Sequence, residues 1–102
     1  MTHEIEETAD RIASLLGCRH VGEGHIECGD TDLDLPFEGI TCGDVVTNVY
    51  ADEDDGFVRV SVSVVWRDRE GDIVDVVDIA SGLDPLDGDS IAAAVVNAGG
   101  AR

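Results

Sequence analysis

The chain has 102 residues, 23 of them acidic and six basic, every basic one an arginine, for a net charge of −17. Such a surface repels phosphate, so direct binding to DNA, RNA or an anionic membrane, all of which need clustered Lys and Arg, is excluded. With 43% hydrophobic residues the chain is nonetheless apolar enough to fold, and its length suits a single compact domain, 1–102, with a modest aliphatic core.

Residues 3–16 have the spacing of an amphipathic helix. Ile5, Ala9, Ile12 and Leu16 fall on one side and Glu6, Glu7 and Asp10 on the other. Thr2 is placed to cap it and Gly17 to end it. The stretches 18–21 and 25–28 then read as a hairpin across Gly22-Glu23-Gly24. From Asp30 to Phe37 polar and apolar residues alternate, which predicts a strand with Leu33 and Leu35 turned to the core until Pro36 breaks it. Residues 45–51 predict a further strand and Asp52 to Gly56 a turn.

The strongest strand signal follows. Val58, Val60, Val62, Val64 and Trp66 alternate with Arg59, Ser61 and Ser63. After the turn at 70–72, Ile73 to Ile79 is apolar on both faces, the pattern of a central or doubly covered strand. A last helix over 88–98 has Asp87 as cap, a staple between Leu86 and Ile91, and Gly99-Gly100 as its end. The expected fold is α+β: an antiparallel meander of five or six strands in two layers with an N-terminal and a C-terminal helix.

Four groups could carry chemistry. Cys18, His20, His25 and Cys28 place four zinc-type donors within one predicted hairpin, and zinc is the only cofactor they suggest. Register works against them: across a three-residue loop Cys28 falls opposite Cys18 while His25 points away. Serines lack a nucleophile-elbow context and no glycine spacing makes a phosphate-binding loop, so the expected protein is not an enzyme. Asp30, Asp32 and Asp34, with the run Asp52, Glu53, Asp54 and Asp55, are the densest carboxylates and the expected meeting point for a basic protein surface. Alternate residues on a strand stand roughly 6.6 Å apart, comparable to successive phosphates. Apolar strand residues around Val65, Val77 and Ile79 offer a homodimer contact.

In size and charge the chain resembles the small acidic phage-encoded inhibitors of CRISPR and restriction systems. That resemblance implies a DNA mimic that competes for basic grooves and associates fast through its field. In its 15 Asp against eight Glu, and its lack of lysine, it resembles haloarchaeal proteins. This second likeness implies a cytoplasmic regulatory or assembly domain whose acidity is adaptation to molar salt, which screens the self-repulsion. The acidic N-terminus shows no signal-peptide pattern, and three cysteines without such a signal fit reduced thiols in a cytoplasm.

Overall fold

The computed structural model describes residues 2–100. Its order is α1 (Thr2–Leu16), β1 (Arg19–Gly22), β2 (His25–Asp30), β3 (Ile40–Ala51), β4 (Val58–Asp68), β5 (Ile73–Leu83) and α2 (Gly88–Asn97). The strands form one antiparallel sheet in the order β1-β2-β3-β4-β5, each beside its neighbour in sequence. The α+β meander predicted from the pattern is therefore the fold. No helix among the described residues is long and apolar enough to cross a membrane.

Both helices lie on one face of the sheet, because that is where the period-two strands put their valines. Val60, Val62, Val64 and Trp66 of β4 are at most 4% exposed, and they pair with Val49, Thr47, Val45 and Gly43 of β3. Against this surface α1 lays Ala9, Ile12 and Ala13, and α2 lays Ile91, Ala94 and Val95. Ile12 and Ile91 are both fully buried and share one cluster with Ile26, Val49 and Val60. Burying an Ile or Val side chain is worth about 1.5–3 kcal/mol, so this one layer of aliphatic contacts carries most of the stability.

Local chemistry sets the element ends. Glu23 and Gly24 have positive φ (54° and 77°), the two-residue turn that matches the twist of a hairpin, and Arg19 faces Glu27 across it. Asp87 caps α2, accepting from the Ser90 N–H at 3.1 Å and the Ser90 hydroxyl at 2.7 Å, and these bonds hold its carboxyl below the ordinary value. The side chain of Thr2, expected to cap α1, lies outside the described residues.

Three expectations fail for physical reasons. Residues 31–39 are an irregular loop and not a strand. The segment adds no strand to the sheet, whose order runs directly from β2 to β3. Its backbone bonds go elsewhere: Thr31 N–H to Gly43 and Asp32 N–H to Gly99, both at 2.9 Å. Leu33 and Leu35 are accordingly 40% and 51% exposed and not in the core. Leu86 is 80% exposed and staples nothing. Finally, β5 is neither central nor doubly covered; it is the edge of the sheet, and its apolar residues 73–77 are bare.

Candidate functional site

The predicted zinc ligands do not converge. Cys18 and His20 lie on the helix-covered side with Ile26 and Cys28, whereas His25, next to Ile26 in β2, points to the open face and bonds Asn48 at 2.8 Å. His20 is engaged by α1: Nδ1 lies 2.6 Å from Asp10 and Nε2 lies 3.0 Å from Glu6. Asp10 thus bonds the imidazole and fastens α1 to β1, while Glu6 lies beside Nε2, which is buried without a hydrogen-bond partner. Among the described residues no group of three or more His, Cys, Asp and Glu is arranged to hold a metal.

Cys18 and Cys28 are a half-buried thiol pair. Cys28 Sγ lies 3.4 Å from the Thr47 hydroxyl, and burial, reinforced by Cys18, pushes its pKa up to about 12. It therefore stays a thiol, and a poor nucleophile, at neutral pH. Cys42 is exposed. With iodoacetamide near pH 8, exposed Cys42 is expected to alkylate first and Cys28 only on opening of the sheet. Mass mapping of a labelling time course reads both. The raised value also sets a sign: the stability tied to the neutral Cys28 thiol is whole below the ordinary 9.0 and is lost as pH climbs toward about 12.

The carboxylates divide into two kinds. Many are occupied in closing turns: Asp52 accepts from Asp54 N–H, Asp55 from Phe57 N–H, Asp84 from Leu86 N–H, and Asp68 from both Glu70 and Asp72 N–H. Bonds from a side chain to the amide two residues on are the turn-forming habit of Asp, which Glu is too long to share. The bias toward Asp is therefore partly structural.

Asp30, Asp32, Asp34, Glu53 and Asp54 are exposed. Asp30 ends β2 and Asp32 and Asp34 follow in the loop, so they are not successive residues of one strand. The 52–55 turn lies at the far end of β3, a strand of 12 residues, roughly 35–40 Å long at strand rise. The structure thus makes two acidic poles where the sequence suggested one surface. At the other end the β4–β5 turn is held against the start of β3, where Thr41 donates to the Asp68 carbonyl at 3.0 Å, and it carries Arg69 among Asp68, Glu70 and Asp72.

Between the poles lies the sheet face that no helix covers. It carries Arg19, Arg59 and Arg67, each paired with a carboxylate: Glu27 at 2.7 Å, Asp55 at 3.0 Å and Asp44 at 2.9 Å. Three of the chain's six arginines are therefore paired with carboxylates on this face. A cleft of about 430 Å³ runs along it, lined among others by Arg19, His25, Glu27, Asp44 and Arg67. Val46 and Val65 lie at its floor, 4% and 9% exposed.

This face runs out onto β5. Val65 is opposite Val76 and Val64 opposite Val77, so the two valines of β5 stand on opposite faces of the strand. Ile73, Val74, Val76 and Val77 are 56%, 45%, 53% and 41% exposed. Of the dimer residues expected from the pattern, Val77 is bare, Ile79 packs partly against the core, and Val65 is nearly covered. Val74, Val76 and Asp75 went unnoticed. The signal for them was Asp75 itself, a carboxylate interrupting an aliphatic strand, which is one way that sheets protect an edge. Compared with family models, curated proteins and solved structures, the chain matches none.

Proposed function

We propose that this protein is a small non-enzymatic association domain that works through protein–protein contact at its sheet edge, with an acidity that serves solvation in molar salt. The observation that carries this reading is the contrast on the surface: arginine-paired and apolar across the open sheet and β5, carboxylate-rich at both poles and on the outer side of α1. Charges laid around a contact region keep a protein dissolved and leave the contact usable. The absence of lysine and the excess of Asp fit the same setting.

The test is a thermal melt by circular dichroism at about 0.1 M and about 3 M KCl, where the screening length falls from about 10 Å to below 3 Å. The melting temperature is expected to rise steeply with salt, as repulsion among the 23 carboxylates is screened. Equal melting at both salts refutes solvation as the reason for the charge.

A second reading, a decoy for a basic nucleic-acid-binding protein, is favoured by one observation, the exposure of Asp30, Asp32 and Asp34 together at the end of β2 and in the loop that follows it. Its mark is capture of such a protein near 0.1 M salt that is lost in molar salt and in the Asp30→Asn, Asp32→Asn, Asp34→Asn variant.

A further inference from the structure

An edge strand offers a row of free N–H and C=O groups, and sheets blunt such edges by keeping them short, charged, bulged or covered. β1, one edge of this sheet, is four residues long. β5, the other, has 11. It carries four exposed aliphatic side chains in five positions, with Val76 on the open face and Val77 on the other, so the strand is bare on both sides. Its protection is local. The Asp75 carboxylate accepts the Val76 N–H at 2.9 Å, so this amide is turned out of the β4 ladder and held by the side chain next to it.

We infer that a second copy of this chain covers the edge, β5 against β5 and antiparallel, about a two-fold axis through Val76, joining the sheets into one of ten strands. The inference rests on the reading of the chain as an association domain and names its partner. Self-pairing is singled out by the strand's own pattern. A two-fold axis normal to a sheet opposes residues of like parity, so it passes through a residue and not between two. Regular pairing with β4 runs from Asp75 to Asp78, between two register shifts. With the axis at Val76, Asp75 faces Val77 of the second copy and Asp78 faces Val74, so no carboxylate opposes a carboxylate.

An axis at Asp75 would set that residue on itself, the like-charge pair that destabilises a sheet. The axis at Val76 stands one residue from the middle of the bare run 73–77, so that the contact still covers it, and gives the Val76 N–H a carbonyl in place of the Asp75 side chain. Opposed residues that exchange both backbone bonds in this way stand about 5.5 Å apart at Cα. Two copies, each with a charge of −17, approach only where salt screens them, and apolar burial strengthens under the same conditions.

Sedimentation in about 3 M KCl should give twice the 10.8 kDa mass of one chain. Val76→Lys puts two ammonium groups on the axis and should weaken the dimer more than about tenfold, with an unchanged circular dichroism spectrum because the Val76 side chain is already 53% exposed. Cysteine cross-linking fixes the register in a Cys42→Ser background. Val76→Cys should form a disulfide with its copy. Val77→Cys should not, because its copy sits diagonally at about 7–8 Å, beyond disulfide reach.

A chain that stays monomeric at about 100 µM in that salt overturns the inference. So does a dimer that Val76→Lys leaves intact, or one in which Val77→Cys cross-links and Val76→Cys does not. Each of these can occur with a salt-dependent melt, which leaves the solvation reading standing. A melt indifferent to salt with a Val76-dependent dimer fails that reading and keeps this one.

Discussion

Trp66→Ala should be the most damaging single truncation in the sheet, lowering stability by about 3–5 kcal/mol, a large part of the 5–15 kcal/mol that a domain has in hand. Trp66 is 4% exposed and belongs to the cluster of Ile40, Val45, Val62, Val64, Ala94, Val95 and Ala98 that joins the sheet to α2. Its ring lies over Gly43, where an added Cβ would come within 2.5 Å of Cζ3, 2.6 Å of Cε3 and 2.8 Å of the Thr31 methyl. Gly43 therefore provides the floor on which the indole rests. Gly43→Ala should lower stability by about 1–3 kcal/mol through overpacking. Combined with Trp66→Leu it should lower it by less than the sum, because the smaller side chain vacates the contested space. Urea titrations in molar KCl measure all three, with the midpoint moving and the slope unchanged.

Gly99→Val is expected to be nearly as harmful, at about 2–4 kcal/mol from left-handed backbone and overpacking together. Gly99 has φ +84° and closes α2, and a Cβ there would meet Asp32 N at 2.8 Å and Leu33 N at 3.0 Å. The Gly99 carbonyl accepts the Asp32 N–H at 2.9 Å, and the Ala98 carbonyl accepts the Thr31 hydroxyl. The end of α2 and the acidic loop thus hold one another. Gly71→Ala is the control: φ is +86° but nothing lies within 4 Å, so only the backbone penalty of about 1–2 kcal/mol applies. Amide exchange across 31–34 should accelerate in Gly99→Val and not in Gly71→Ala.

How far the sequence could be read depends on whether a residue's role is decided by its near neighbours. β4 was legible because strict alternation from Val58 to Val64 leaves one face for the core, and the register confirms it. The caps and turns of α2 and the first hairpin were legible because Asp87 and Glu23-Gly24 act within a few residues. β5 was misread because an aliphatic run on both faces has two explanations, burial by the rest of the chain or cover by another molecule, and period alone cannot separate them. The 31–37 segment was misread because alternation describes a strand's faces and says nothing about whether the segment joins a sheet.

The candidate site was legible in composition and not in placement. Asp30 to Asp34 and Asp52 to Asp55 were identified as dense carboxylates, yet Asp30 lies opposite Asp44, and the seven residues of β3 from there to Ala51 separate it from the 52–55 turn. Asp52, Asp55 and Asp68 could have been recognised as turn formers, since each bonds the amide two residues on. The hairpin count over a three-residue loop gave the facing of Cys18 and Cys28 and the turning away of His25, although the turn has two residues and a bulge at Val21 restores that register; the bond from Asp10 to His20 needed the packing of α1.

The strictly sequential strand order has a kinetic consequence. Three of the four neighbouring pairs can zip up through a short turn and only β2–β3 closes over the longer 31–39 loop, so the sheet demands little loop-closure entropy at most steps. The contacts that span the chain are those between its two ends: Ile12 with Ile91, and Leu15 packed over Gly88. These close last. In refolding, strand signals should recover before the α1–α2 contact, and substitutions at Ile12 or Ile91 should speed unfolding and barely slow folding, whereas those at Val60 or Val62 should slow folding itself.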